Sequence, residues 1–101
     1  MIGREFRFHD GKKGAALALR IIKESETDEI HKFLKDGTVV VHLKGDPENT
    51  KERLIRYLSS ELNIDQDRFD IIECKDDVDI LLSIFDIEPY EIQNLILKII
   101  T

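Results

Sequence analysis

The fold of this chain is decided by the stretch TVVVHLKGDPE at residues 38–48. Its three consecutive valines favour a strand, because β-branched side chains lose χ1 freedom in a helix. Asp46 is then a suitable helix cap, and Pro47 fits the first helical position, where its missing N–H does no harm. The stretch therefore predicts a strand that leads into a helix.

The helix that begins there is predicted to extend to about Asn63, a residue that suits a left-handed C-cap. Leu54, Ile55, Leu58 and Leu62 recur on one side of it. This spacing is typical of an amphipathic helix and predicts a stripe buried against the rest of the domain.

Two strands are predicted after this helix. Residues 69–74 have the composition of a strand, and residues 75–77 supply a turn. In residues 78–84, Val78, Ile80, Leu82 and Ile84 alternate with Asp79, Leu81 and Ser83. Alternation with a period of two is typical of a strand with one buried face. These residues therefore predict a hairpin.

A second hairpin is predicted near the N-terminus. Phe6 and Phe8 alternate with polar residues across residues 4–9, and residues 15–22 alternate again. Residues 10–14 lie between them and contain glycines that suit a tight turn.

Residues 23–36 have two interpretations. Either Ser25 or Thr27 caps a short helix, or the stretch is an irregular loop in which a few apolar residues are anchors. Both alternatives stay open at this point.

The C-terminal residues predict a final helix that starts at Pro89. Its wide apolar stripe consists of Ile92, Leu95, Ile96, Ile99 and Ile100. The stripe either closes the core or pairs with a second molecule, as in a weak homodimer.

Together these elements predict a single α+β domain over residues 1–101, with the order β-β-(loop)-β-α-β-β-α. Because hairpins dominate, we expect a two-layer sandwich in which two helices cover one face of a mostly antiparallel or mixed sheet of about four to five strands. A length of 101 residues and a hydrophobic content of 42% suffice for one core without a metal or disulfide.

Composition narrows the classes of function. A net charge of -6 disfavours a general nucleic-acid or anionic-membrane binder. No run approaches the roughly 20 apolar residues of a membrane span. The single cysteine, Cys74, forms no internal disulfide, and the first residues lack the apolar stretch of a signal peptide. These features predict a cytoplasmic protein, and no cofactor is predicted.

Several segments resemble one family of small proteins. ALALR at residues 16–20, DGTVVVHL at 36–43, LIRYL at 54–58 and FDII at 69–72 are similar to the YggU-like family of conserved hypothetical proteins. The similarity covers roughly residues 5–84, in the same order and at similar spacing. It implies a two-layer α/β domain in a family whose biochemical role is unassigned.

The polar motifs of that family are largely replaced in this chain. The family opens its helix with a double proline, whereas residues 46–51 contain one proline. The resemblance therefore assigns no catalytic or binding residue.

An acidic turn is the first candidate for chemistry. Glu73, Asp76, Asp77 and Asp79 supply oxygen ligands of the kind that Mg²⁺ or Ca²⁺ prefers. The turn lacks the Asp-x-Asp-x-Asp-Gly spacing of a calcium loop, so a solvated hairpin is the favoured interpretation. The Asp and Asn residues of 63–70 are likewise interpreted as turn formers.

Histidine and cysteine give no motif. His9, His31 and His42 lie in different predicted elements, and none has the i, i+4 spacing of a helical zinc site. Cys74 is interpreted as a core thiol rather than a nucleophile. We predict no catalytic, cofactor-binding or metal-binding residue.

A glycine-containing loop and a basic patch complete the candidates. Gly11 and Gly14 flank Lys12 and Lys13, but this loop lacks the P-loop pattern and precedes a strand. It is therefore interpreted as a hairpin turn.

The basic patch adds Arg4, Arg7 and Arg20 to those lysines. Phe6 and Phe8 lie among them, and this mixture suits single-stranded nucleic acid. Alternation places the phenylalanines opposite Arg7, which favours a core role and disfavours nucleic-acid binding.

The favoured function is a non-enzymatic interaction or accessory domain with an unknown protein partner. Two alternatives are a small metal-assisted hydrolase that uses the acidic turn and an RNA-associated accessory domain that uses the basic N-terminal hairpin.

Overall fold

A computed structural model of the chain describes residues 3–7 and 13–101. It confirms the predicted α+β class. The elements, in chain order, are β1 (Gly3–Arg7), β2 (Lys13–Ser25), β3 (Glu29–Phe33), β4 (Val39–Lys44), α1 (Thr50–Leu62), β5 (Phe69–Lys75), β6 (Asp79–Phe85) and α2 (Pro89–Ile100).

All six strands belong to one mixed sheet in which β2 is central. The strand order is β3-β4-β2-β6-β5, and β1 pairs with the first half of β2. β2 is antiparallel to β1 and β6 but parallel to β4. The predicted N-terminal hairpin is therefore confirmed. Of its predicted turn, residues 10–12 lie outside the described residues, and Lys13 and Gly14 belong to β2.

Both interpretations of residues 23–36 were wrong, because this stretch contains neither a helix nor a purely irregular loop. β2 continues to Ser25, and residues 29–33 form β3, which is antiparallel to β4. Ile30 is buried between the exposed residues Glu29 and His31, so one apolar side chain faces the core. Pairing with β4 overrides the weak helical spacing of these residues.

The predicted start of α1 was also wrong. The helix begins at Thr50, and the N-cap is Asn49, whose side chain accepts a hydrogen bond from the amide of Glu52 at 3.1 Å. The carbonyl of Gly45 accepts a hydrogen bond from the amide of Glu24 at 2.7 Å. Because residue 45 is held at the end of β2, the next residues cross from the sheet to the helical layer before the helix starts.

The end of α1 and the start of α2 lie where the sequence predicts them. Asn63 is the left-handed C-cap of α1, with φ of 57°. Pro89 is the first residue of α2, and Glu88 and Glu91 form a capping box at its start.

A single hydrophobic core lies between the helices and one face of the sheet. The core-facing strand residues alternate along each strand, as in Leu17, Leu19 and Ile21 of β2. The buried helix residues of the same cluster are Leu54, Leu58, Leu62, Ile92 and Ile96. Because strand members of this cluster share one face, both helices cover that face, as predicted.

One polar side chain inside this core has no partner. Thr50 is 2% exposed, and its hydroxyl has no hydrogen-bond partner among the described residues. A buried unpaired hydroxyl costs about 1–3 kcal/mol. We therefore expect Thr50→Val, which keeps the shape and removes the hydroxyl, to raise the free energy of unfolding by about 1 kcal/mol in urea denaturation.

Ser59 is the matched control for this prediction, because its hydroxyl is also on α1 but donates to the carbonyl of Ile64 at 2.5 Å. Ser59→Ala is expected to lower the free energy of unfolding by about 1 kcal/mol. If Thr50→Val destabilises the protein as much as Ser59→Ala does, the hydroxyl of Thr50 is paired in solution.

Candidate functional site

The face of the sheet opposite the core is covered by neither α1 nor α2. It carries a depression of about 550 Å³. Ala18 has the smallest side chain in its lining and is paired with Leu81 of β6. The other side chains that shape it include those of Arg20, Thr38, Glu73, Lys75 and Asp79.

Charges of both signs surround this depression. Arg20 donates from Nε to Oδ1 of Asp79 at 3.2 Å, and each side chain is 52% exposed. An exposed pair of this kind contributes about 0–1 kcal/mol to stability, so it does not explain the fold. The depression is therefore an open surface in which apolar side chains lie among an equal number of cationic and anionic ones.

A cluster of two histidines and one glutamate lies on the same face, toward its β3 edge. Nδ1 of His31 and Nδ1 of His42 are each 3.6 Å from Oε2 of Glu29. The two imidazole rings are stacked, with centroids 4.4 Å apart and an interplanar angle of 26°.

The register between β3 and β4 shifts within this cluster, as it does at a β-bulge. Glu29 is paired with His42 and Ile30 with Val41, but the next pair is Lys32 with Val40. His31 is therefore an extra residue without an opposite partner. A bulge of this kind redirects a side chain, and here it brings His31 to His42.

The start of β3 is held by an ion pair with α1. Asp28 accepts hydrogen bonds from Nη2 of Arg53 at 2.7 and 2.9 Å and from the amide of Lys44 at 2.8 Å. Burial acts to raise the pKa of Asp28, but the hydrogen bonds from Arg53 and Lys44 outweigh it and hold the pKa below its ordinary value. Asp28 thus fixes the position from which Glu29 extends.

Tyr57 of α1 supports β3 from the core side. Burial, together with the carboxylate of Glu61, raises the pKa of Tyr57 to about 12. Since the folded chain keeps the phenolic proton to a higher pH than the unfolded chain does, this group contributes stability that is present below about pH 10 and is lost as the pH rises toward 12.

We expect the Tyr90→Phe variant, whose only tyrosine is Tyr57, to ionise with a midpoint near 12 when its absorbance is titrated. The matched measurement is the same titration in denaturant, where the midpoint should fall near 10. Equal midpoints in the folded and denatured protein would show that Tyr57 is not buried.

The acidic turn has a structural role. Asp76 and Asp77 both have positive φ, 55° and 54°, as in the tight turns that connect hairpin strands. The thiol of Cys74 donates to Oδ1 of Asp77 at 3.3 Å, and Asp79 is paired with Arg20. The predicted turn is confirmed.

These carboxylates do not converge with a histidine. Among the described residues, the only group of three metal-ligating side chains within 4.8 Å of one another is Glu29, His31 and His42. The hydrolase alternative therefore has no gathered site at the acidic turn, although its activity stays untested.

Some of the remaining candidate residues lie in the described part of the structure and others do not. The interpretation of residues 63–67 as a turn is confirmed, since Asn63 ends α1 and residues 66–68 form a 3-10 turn, whereas Asp70 belongs to β5. The side chains of Arg4, Arg7, Lys12, Lys13, Phe6, Phe8 and His9, and Gly11, lie outside the described part of the structure. RNA binding by the basic hairpin therefore stays a prediction.

The histidine cluster was missed by the sequence analysis. Because residues 23–36 were interpreted as a helix or a loop, His31 and His42 were placed in separate elements. The usable signal was Glu29-Ile30-His31, in which two potential ligands flank an apolar residue at strand spacing.

No protein-family model and no curated protein matches this chain. The resemblance to the YggU-like family therefore stays a prediction. None of the helices in the described residues is long and apolar enough to cross a membrane.

Proposed function

We propose that this chain is a non-enzymatic domain that binds another protein through the helix-free face of its sheet. The observation that carries the proposal is the depression over Ala18, which is accessible and lined by charges of both signs. A partner that inserts a side chain there and offers both charges at the rim would match it. Cytoplasmic localisation is part of the same proposal.

The composition of this face supports the proposal. Ile22 and Ile72 are large apolar side chains that are 45% and 37% exposed. They stand near charged residues and do not form a continuous apolar patch. Non-obligate protein interfaces have this mixed character, since as a whole they are about as apolar as the remaining surface.

The sheet edges are poorly suited to the same task. The pairing of β3 is interrupted at His31, and that of β5 is interrupted at Ile72. Bulges and charged residues on edge strands hinder the addition of another strand. The face, and not an edge, is therefore the proposed binding surface.

The proposal is tested by crosslinked affinity capture from native extract with the wild type and Ala18→Lys. A lysine at position 18 places a long, charged side chain in the lining of the depression, so proteins captured by the wild type should be lost. Ser60→Lys is the matched control, because it adds the same side chain at an exposed position of α1. It should capture the same proteins as the wild type.

Circular dichroism and thermal unfolding establish that both variants are folded. If a folded Ala18→Lys variant captures the same proteins as Ser60→Lys, the helix-free face is not the binding surface. The proposal is also rejected if the wild type captures no protein above the level of a bead control.

A further inference from the structure

We propose that Glu29, His31 and His42 form a binding site for a divalent transition-metal ion, with Zn²⁺ as the best match. This inference concerns a different part of the helix-free face and does not depend on the proposed protein partner. Its basis is the geometry of the three side chains and the chemistry of their ligand atoms.

The distances are close to those that a metal ion requires. Zinc binds nitrogen and carboxylate oxygen at about 2.0–2.2 Å, so two ligands in a tetrahedral site are about 3.3–3.5 Å apart. Each histidine Nδ1 is 3.6 Å from Oε2 of Glu29, and all three ligand atoms lie within 4.8 Å of one another.

The ligand atoms are not used for hydrogen bonds with each other. A separation of 3.6 Å between nitrogen and oxygen exceeds the length of an effective hydrogen bond. The fold nevertheless gathers a carboxylate and two imidazoles by means of a bulge at His31. A metal ion would add a direct link between the carboxylate and the two imidazoles.

The ligand types favour a transition metal over Mg²⁺ or Ca²⁺. Imidazole nitrogen suits zinc, copper, iron and nickel, whereas Mg²⁺ and Ca²⁺ prefer a shell of oxygen atoms. Zinc also accepts three protein ligands and leaves a fourth position for water. The exposure of Glu29, His31 and His42, which is 52%, 42% and 24% for their side chains, leaves that position open to solvent.

The site joins two strands and therefore exists only in the folded chain. Glu29 and His31 belong to the edge strand β3, and His42 belongs to β4. A ligand that binds the folded state alone raises the melting temperature. We infer that Zn²⁺ fastens the edge strand to the sheet.

The test is a Zn²⁺ titration of the full-length protein against a chromophoric chelator. The wild type should bind one Zn²⁺ per chain. Glu29→Gln, His31→Gln and His42→Gln should each weaken binding by at least about tenfold, since even the loss of a residue that only orients a ligand costs about 10- to 100-fold.

Two control variants separate this site from others. Glu26→Gln makes the same chemical change as Glu29→Gln at an exposed residue outside the cluster. Cys74→Ser removes the thiol, which is the zinc ligand that most needs to be excluded. Both controls should bind Zn²⁺ as the wild type does.

A second measurement, made on the wild type, tests the proposal even if the variants fold poorly. In the wild type, Zn²⁺ should shift the imidazole ¹⁵N resonances of His31 and His42 and raise the melting temperature. Absence of binding, unchanged binding in all three ligand variants, or unshifted resonances of both histidines would each overturn the proposal.

Discussion

Ile96→Ala is expected to lower the free energy of unfolding by about 2–5 kcal/mol. Ile96 is 1% exposed and belongs to the cluster that joins α2 to the sheet. Truncation removes buried methylene groups and leaves a cavity that the neighbouring side chains fill only in part. Since a domain of this size is stable by about 5–15 kcal/mol, the loss is a large part of the total. Urea denaturation followed by circular dichroism measures it.

Leu97→Ala is the matched control for this prediction. It truncates an aliphatic side chain at the next position of the same helix, where the side chain is 37% exposed. The expected loss is about 1 kcal/mol or less, because Leu97 is only partly buried and its truncation removes less buried apolar surface than that of Ile96. Equal losses in the two variants would mean that α2 does not pack on the sheet in this orientation.

This pair of variants also separates the two interpretations of the C-terminal stripe. If the stripe closes the core, Ile96 matters at every protein concentration. If it served mainly as the seam of a homodimer, the effect of Ile96→Ala would depend on concentration, because association contributes to stability by mass action. We expect no such dependence.

Signals within a short stretch of sequence were sufficient to predict the β5–β6 hairpin and α2. The β5–β6 hairpin was predicted because Asp76 and Asp77 tolerate a left-handed backbone and the flanking residues alternate. α2 was predicted because Pro89 and a periodic apolar stripe occur together. In both cases the residues that predict the structure lie close together in the sequence.

The same reasoning failed for β3, although its partner β4 is the next strand in the chain, because the apolar residues of β3 do not have the regular alternation of a strand. Ile30 and Phe33 have the spacing of a helix as well as that of an irregular strand. What decides between them is the open side of β4, which offers unpaired backbone groups to residues 29–33. Nothing within residues 23–36 indicates that β4 has an unpaired side.

Prediction of the two candidate sites depends even more strongly on the register between neighbouring strands. The helix-free positions of β2, including Ala18 and Arg20, were predicted correctly from alternation. The depression nevertheless requires Thr38 and Glu73, which arrive from two other strands. The histidine cluster requires His42 of β4 opposite Glu29 of β3, and this pairing depends on the register between two strands.

Asp28→Ala is expected to lower the free energy of unfolding by about 1–3 kcal/mol, because it removes charge-assisted hydrogen bonds and leaves Arg53 without its partner. The pair is only partly shielded from water, since the side chains of Asp28 and Arg53 are 24% and 31% exposed. This exposure keeps the expected loss below that of a fully buried ion pair. Urea denaturation at neutral pH measures it.

The matched control is the exposed ion pair on the same helix. Nη2 of Arg56 is 3.6 Å from Oε1 of Glu52, at i, i+4 spacing, and the two side chains are 62% and 65% exposed. Glu52→Ala is expected to cost about 0.5 kcal/mol or less. A similar loss in Glu52→Ala and Asp28→Ala would show that the Asp28–Arg53 pair has no special role in holding β3.

The effect of Asp28→Ala should also depend on pH in a defined direction. Because the pKa of Asp28 is lowered in the folded protein from its ordinary value of 3.8, the unfolded chain binds a proton here at a higher pH than the folded chain does. The stability that Asp28 contributes is therefore present above pH 3.8 and is lost as the pH falls through the lower, folded pKa. The difference in free energy of unfolding between the wild type and Asp28→Ala should narrow below pH 3.8. A difference that stays constant down to about pH 2 would mean that the carboxylate charge of Asp28 does not stabilise the attachment of β3 to α1.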